Sequence, residues 1–286
     1  MKNKFLILLS LNMFSCGTKY LTSKVSDPKK DSFKEESFIR YTTDRLINLE
    51  KTPFKGLSLC YQGSIKEGKK VLLNELNERK NSPSYWNEVG VCHFLEQSYS
   101  KADFYFDLSL QKANSSFYPP ALNNKGAIQL KLRHFEGAIK YFKKAAGSKG
   151  EHQVPLFNMA QVYLQFNRLE QAGRIINDIN SKNNKRGIKN DPDLLFSLGS
   201  YYLLKGNTQK AISEFQKIPR QYQKREDVAL LTAIGLYENQ KYYQAKKLLK
   251  GQTFIDHIPL KKSAQKLFKI IEERIKVIEL KEKKGS

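Results

Sequence analysis

The chain has 286 residues, of which 40% are hydrophobic, so it carries enough apolar material for a buried core, and a wholly disordered protein is excluded. Lys and Arg number 50 against 28 Asp and Glu, which gives a formal charge of +22. This excess favours anionic partners such as phosphates, anionic lipid or an acidic protein surface. Charge alone does not choose among them.

The N-terminus has the pattern of a secretory signal. Lys2 and Lys4 supply a basic start, Phe5 to Phe14 an apolar run, and Ser15 a small residue before a candidate cleavage point. The run spans about ten residues, well short of the ~20 that cross a bilayer as a helix. The sequence therefore predicts a signal peptide over residues 1–15 and an exported mature chain.

Cys16 directly follows this signal, an arrangement that resembles the lipobox of bacterial lipoproteins. Ser15 and Gly17 fit that pattern, whereas Met13 and Phe14 stand where the family usually has Leu and a small residue. The resemblance implies a diacylated Cys16 that anchors the protein, and Gly17 resembles the pattern of lipoproteins sent to the periplasmic face of the outer membrane. The alternative is an ordinary signal peptide whose cysteine is incidental.

Pairs of small residues separated by twelve positions recur along the chain. Successive pairs lie 34, 36, 34, 39 and 34 residues apart, and each is followed four residues later by a large apolar side chain. The pairs are Gly56 and Gly68, Gly90 and Ala102, Gly126 and Ala138, Ala160 and Ala172, Gly199 and Ala211, and Ala233 and Ala245; the large residues are Leu72, Phe106, Phe142, Ile176, Phe215 and Leu249. Such a fixed period predicts a repeat architecture in which small residues let two helices approach closely.

This pattern resembles the tetratricopeptide repeat over about residues 50–253. Trp86, Tyr163, Tyr202 and Ala145 also stand where that family carries Trp, Tyr and Ala. The resemblance implies an all-α fold, an α-solenoid of about six helical hairpins. No stretch alternates with period two between turn signals, so a β architecture has little support.

Turn and end signals complete the predicted body. Prolines open the first helix of five units, at Pro53, Pro83, Pro119, Pro155 and Pro192, and hairpin turns are expected at Gly63, Gln97, Arg133, Asn167, Gly206 and Gln240. The predicted superhelical domain covers 34–281, with an amphipathic lead-in helix over 34–50 and a capping helix over 259–281. Residues 16–33 are predicted to be a flexible tether, 181–193 a basic loop, and 282–286 a disordered tail.

Cys60 and Cys92 fall in apolar helical stretches of neighbouring units. The sequence favours two small buried residues and leaves a disulfide open, because packed helices often hold Cα atoms more than ~7 Å apart.

No constellation for catalysis or metal binding is present in the sequence. The four histidines, His93, His134, His152 and His257, show no ligand spacing, and zinc, phosphate-loop and hydrolase motifs are missing. We expect no enzymatic activity and no cofactor.

The first helices of the units would line a peptide-binding groove. In binding members of the family, asparagine at position 6 contacts the backbone of an extended peptide, and Asn124 and Asn158 stand at that position. Unit two has Glu88 there and unit five Ser197, and asparagine is also common at this position where no ligand binds. The predicted groove residues are Asn123, Asn124, Phe157, Asn158, Gln161, Gln165, Phe196 and Ser197.

A lipidated cysteine, a tether and about six such repeats resemble small outer-membrane lipoproteins, and in size the pilotins of type IV pilus systems, which bring the secretin to the outer membrane. The resemblance implies a monomeric periplasmic scaffold that binds a segment of a protein partner, with the basic surface as an additional membrane contact. Two alternatives stay open: an adaptor for peptidoglycan hydrolases or outer-membrane assembly, and a basic solenoid binding nucleic acid. The basic runs lack interleaved stacking aromatics, so we expect no nucleic acid.

Overall fold

A computed structural model describes residues 55–113, 117–147, 152–189, 191–223, 225–252 and 258–285. Every regular element in these ranges is a helix, which confirms the predicted all-α class. The helices are α1 (Lys55–Tyr61), α2 (Ile65–Asn74), α3 (Leu76–Arg79), α4 (Pro83–Leu95), α5 (Tyr99–Lys112), α6 (Pro119–Lys131), α7 (Phe135–Ala146), α8 (Gln153–Gln165), α9 (Leu169–Lys185), α10 (Pro192–Leu204), α11 (Thr208–Lys217), α12 (Arg220–Gln223), α13 (Glu226–Glu238), α14 (Tyr242–Lys250) and α15 (Ile258–Gly285). The predicted signal peptide, tether and lead-in helix lie outside the described residues.

The described chain forms two compact units, and the boundary falls inside α8. The N-terminal unit ends at Val162 and contains the hairpins α1–α2, α4–α5 and α6–α7. The C-terminal unit starts at Tyr163 and contains the hairpins α10–α11 and α13–α14, with α15 packed against α13 and α14.

Each hairpin turn places one residue in the left-handed backbone region at the predicted position. These residues are Gly63, Gln97, Arg133, Asn167, Gly206 and Gln240, with φ between 54° and 89°. In the turn at Gln97, its N–H donates to the carbonyl of Phe94 at 2.9 Å, and the N–H of Ser98 donates to the carbonyl of His93 at 2.9 Å. This pair of bonds is a Schellman motif, which satisfies the carbonyls at the end of the first helix. The same motif in every hairpin confirms the predicted register.

Glycines on the first helices lie directly under aromatic rings of the second helices. A Cβ built on Gly90 would lie 2.5 Å from Phe106, and one built on Gly126 would lie 2.5 Å from Phe142; Phe215 covers Gly199 in the same way. In these three hairpins the two helices can approach each other this closely only because the first helix has a glycine, without a side chain, under the ring. The rings of Phe106, Phe142 and Phe215 therefore fill the space over the glycine of their own hairpin and not the gap to the next unit.

The helix α15 closes the C-terminal unit with an apolar stripe. Leu267 and Ile271 are fully buried and Ile275 is nearly so, in the same cluster as residues of α13 and α14. This agrees with the predicted capping role. The helix runs to Gly285, so the prediction of a disordered tail is wrong over residues 282–285, because the helical backbone continues beyond the packed stripe.

The predicted basic loop is shorter than expected. The helix α9 extends to Lys185, so the first residues of the predicted loop 181–193 are helical. Two short helices, α3 and α12, were not predicted, because four-residue helices carry too little periodicity to be recognised in a sequence.

Cys60 of α1 and Cys92 of α4 form a disulfide, with Cα atoms 5.4 Å apart. The favoured interpretation of two unbonded buried cysteines is therefore wrong: the two first helices pack closely enough to bring the Cα atoms within bonding range. Leu72 and Tyr85 bury the bond, and the Tyr85 hydroxyl donates to the Leu72 carbonyl at 2.9 Å.

The Gly126→Ala substitution should destabilise the protein. We expect a loss of about 1–3 kcal/mol, because the new methyl group overlaps the Phe142 ring. Gly137→Ala is the matched control: its methyl group meets only the mobile end of Gln129, so stability should stay equal or rise by up to ~1 kcal/mol. Urea unfolding followed by circular dichroism measures both. Equal effects of the two substitutions would contradict the close helix crossing at Gly126.

Breaking the disulfide should lower the free energy of unfolding by about 2–4 kcal/mol, because the bond closes a long loop in the unfolded chain. Thermal unfolding with and without a phosphine reductant measures this loss. A Cys60→Ser/Cys92→Ser variant should match the reduced protein and be insensitive to the reductant. An identical midpoint for oxidised and reduced protein would disprove the contribution of the bond.

Candidate peptide-binding face

The first helices of the N-terminal unit bring three of the predicted asparagines together. Asn123 and Asn124 lie on α6 and Asn158 on α8, and all three side chains are buried. The Asn158 amide donates to Oδ1 of Asn123 at 2.7 Å. A carboxamide hydrogen bond thus joins α6 and α8.

The asparagine chain continues to a fourth member on α4. The Asn124 amide donates to Oδ1 of Asn87 at 3.0 Å, and the Asn123 amide lies 3.5 Å from Oδ1 of Asn124. Asn87 is fully buried and was missed in the sequence. The sequence could have identified it, because Asn87 and Asn123 occupy equivalent positions of successive units. Each lies three residues before the glycine of its first helix, Gly90 or Gly126.

These hydrogen bonds give the asparagines a structural role. A buried carboxamide needs partners for its amide and its carbonyl, and here neighbouring first helices supply them. The chain of amides fixes the lateral register of α4, α6 and α8 in addition to the apolar contacts. Contact of Asn124 or Asn158 with a peptide stays a prediction.

The other groove candidates on α8 differ in exposure. Phe157 is buried, whereas Gln161 and Gln165 are half-buried. The glutamines follow Phe157 and Asn158 at helical spacing, so they stand on the same side of α8. They are the more accessible polar side chains among the predicted residues of this helix.

Phe196 and Ser197 belong to the C-terminal unit. The Ser197 hydroxyl donates to the Asp193 carbonyl at 2.7 Å, and the Arg225 guanidinium lies 5.2 Å from the centre of the Phe196 ring. Arg225 also donates to Asp193 at 3.1 Å and to Asp227 at 2.6 Å. Both predicted residues are buried and contribute to the junction of α10 and α13.

A buried carboxylate occupies position 6 of the second unit. Glu88 is fully buried and accepts hydrogen bonds from both terminal nitrogens of Arg79 and, at 2.9 Å, from the Ser84 hydroxyl. Burial alone would lower the pKa of Arg79, but its hydrogen bonds to Glu88 and Glu75 raise the pKa overall. Arg79 is therefore a permanent cation, and the buried charge of Glu88 is paired.

An aromatic stack lies on the hairpin α4–α5. The Tyr105 ring is parallel to Trp86, with centroids 6.0 Å apart, and to His93, with centroids 5.1 Å apart. Burial, followed by the charge of Lys69, lowers the pKa of His93 below its ordinary value, against the opposing effect of Glu96. His93 is therefore neutral at physiological pH, and its role here is packing.

The described residues hold no group of three His, Cys, Asp or Glu side chains that could bind a metal ion. Within the same ranges, no helix combines the length and apolar character needed to cross a bilayer.

Comparison with known proteins agrees with this architecture. Residues 129–189 match the family model described as tetratricopeptide repeat. The fold is that of the tetratricopeptide repeat. The TPR repeat-containing protein MJ1428 of Methanocaldococcus jannaschii is 29% identical over 119 residues, which are 42% of this chain and 20% of that protein.

Solved tetratricopeptide structures superpose on most of the chain. The APC/C hetero-tetramer Cut9–Hcn1 gives a TM-score of 0.65 at 17% identity and covers 81% of this chain but 44% of the matched chain. PilW, described as a widely conserved type IV pilus biogenesis factor, gives a TM-score of 0.54 at 16% identity, with 72% of this chain and 94% of PilW covered. Such a fold is generally a non-catalytic scaffold for protein–protein interaction.

The asparagine chain should be measurable as an energetic coupling. Asn87→Ala and Asn124→Ala should each cost about 1–3 kcal/mol, because each leaves a buried partner group without its hydrogen bond. In a double-mutant cycle the combined cost should fall short of the sum by at least ~0.5 kcal/mol. Asn184→Ala, at an exposed position of α9, is the control and should change stability by less than ~0.5 kcal/mol. Strict additivity at Asn87 and Asn124 would argue against the hydrogen bond.

Proposed function

We propose that this protein is an exported, lipid-anchored scaffold that holds a segment of a protein partner at the periplasmic face of the outer membrane. The observation that carries the proposal is the tetratricopeptide fold, whose stacked hairpins are generally used to bind other polypeptides. The binding face is formed by the first helices, and in the N-terminal unit it is built on α4, α6 and α8. The C-terminal unit adds its own first helices, α10 and α13.

Two independent features support export. The sequence from Lys2 to Cys16 has the order of a lipoprotein signal, and Cys16 would carry the lipid. The Cys60–Cys92 disulfide belongs to a second part of the chain, and such bonds persist in oxidising compartments, including the bacterial periplasm. A cytoplasmic location would leave that bond exposed to cellular reductants.

The leading specific role is assistance to type IV pilus secretin assembly. It is supported by the likeness to PilW, 94% of which is covered by this chain. A role with peptidoglycan hydrolases or in outer-membrane assembly uses the same anchor and the same binding face. The identity of the captured protein distinguishes these roles.

Crosslinking in living cells tests the scaffold and the partner together. A photoreactive amino acid at Gln161 should capture the pilus secretin subunit, because this half-buried side chain stands on the first-helix face. The same amino acid at Asp107, an exposed position of the second helix α5, is the control and should not capture it. Capture of a wall hydrolase at Gln161 would move the role to the cell wall, and equal labelling from both positions would argue against a first-helix binding face.

Cell fractionation tests the anchor. The native protein should stay in the outer-membrane fraction after a high-salt wash, and the Cys16→Ser variant should appear in the soluble periplasmic fraction with unchanged helicity. A Cys16→Ser variant that resists the high-salt wash would overturn lipid anchoring.

A further inference from the structure

The hairpin α6–α7 carries an excess of positive charge. Its exposed cations are Lys131, Arg133, Lys140, Lys143 and Lys144, and its one acidic side chain is Glu136. We call these five cations the α7 basic face. None of them forms an ion pair within the described residues, whereas cations of other hairpins, such as Lys69, Lys182 and Lys217, do.

Neighbouring carboxylates do not neutralise this face. The acids of the preceding hairpin, Asp103 and Asp107, both bind the buried ammonium group of Lys125, at 2.6 and 2.9 Å. The charge of Lys125 is therefore compensated, while that of the five exposed cations is not.

The cations are arranged along one side of the hairpin. Lys140, Lys143 and Lys144 stand at helical spacing on α7, with Glu136 one turn before Lys140, and Arg133 lies in the turn that precedes the helix. The opposite side of α7 is apolar, with Ala138, Phe142 and Ala145 fully buried. The helix is thus strongly amphipathic, and its outward side is basic.

An apolar residue stands between two of these cations at the hairpin turn. Leu132 is 45% exposed and follows Lys131 directly, and Arg133 comes next. An exposed apolar side chain flanked by cations is the combination by which a peripheral protein contacts the interfacial region of a bilayer.

We propose that the α7 basic face binds anionic lipid headgroups and holds the N-terminal unit against the membrane surface. The proposal rests on the membrane-facing location proposed above. The cations are exposed and have flexible side chains, which suits a laterally mobile layer of charges better than the fixed geometry of one acidic peptide. The aromatic rings of this hairpin, Phe135, Tyr141 and Phe142, are half-buried or buried, so bases would find no stacking platform among them.

Vesicle sedimentation with the mature chain, residues 16–286 carrying Cys16→Ser, tests this face without help from an acyl chain or from the predicted signal peptide. The protein should bind vesicles of phosphatidylethanolamine with phosphatidylglycerol, should not bind phosphatidylcholine vesicles, and should dissociate at high salt. Changing Lys140, Lys143 and Lys144 together to Gln should weaken binding to the anionic vesicles at least about tenfold.

A matched control distinguishes a site from net charge. The variant with Lys241, Lys247 and Lys250 changed to Gln removes three exposed lysines from another second helix, α14, and the N-cap residue before it, and alters the total charge equally. Its affinity for the anionic vesicles should fall by less than about threefold, because Glu272 and Glu279 contribute negative charge beside α14. Equal losses in both variants would overturn the proposal, as would unchanged binding in the α7 variant.

A third measurement tests whether the α7 basic face binds nucleic acid in place of lipid. If the α7 variant loses affinity for a mixed-sequence single-stranded oligonucleotide but keeps its affinity for anionic vesicles, the face serves nucleic acid and the lipid proposal is wrong. Failure of the vesicle experiment leaves the fractionation and crosslinking results unaffected, so the proposed scaffold function can stand without this face.

Discussion

In the hairpins α4–α5, α6–α7 and α10–α11, the contact between a glycine on the first helix and an aromatic ring on the second sets the distance between the two helices. At Gly90 and Gly126, even a methyl group would overlap the facing ring. Because the two backbones then lie close together, the small residue twelve positions later can be fully buried, as Ala102 and Ala138 are. In these three hairpins the separation of the two helices follows from this contact.

Hydrogen bonds between asparagines set the register of neighbouring first helices, which close packing alone does not determine. Apolar contacts would let neighbouring first helices slide, whereas the chain from Asn87 through Asn124 and from Asn123 to Asn158 is satisfied in one register only. The same residue type can therefore hold the scaffold together and occupy the position that binds peptide in related proteins. In this chain the hydrogen bonds show the structural role of the asparagines. Half-buried neighbours such as Gln161 are the better candidates for contact with a ligand.

Periodicity predicted most of the fold, because the spacing of small and large residues is imposed by every hairpin in turn. The left-handed turn residues, including Gln97 and Gln240, were placed correctly for the same reason. Features that occur only once in the chain were harder to predict from the sequence. The Cys60–Cys92 bond depends on how closely two particular helices approach. The role of Asn87 is visible only in the structure, where its carboxamide accepts a hydrogen bond from Asn124. Residues 282–285 carry no apolar period, so their helical structure could not be predicted from the sequence pattern.

Four of the six hairpin turns place a side-chain-bearing residue in backbone space that glycine occupies more easily: Gln97, Arg133, Asn167 and Gln240. A left-handed residue of this kind costs roughly 1–2 kcal/mol relative to the right-handed region. The hairpins closed by Gly63 and Gly206 avoid that cost. A single exchange to glycine at Gln97, Asn167 or Gln240 would therefore relieve a turn without altering the proposed lipid-binding face, whereas the same exchange at Arg133 would also remove one of its cations.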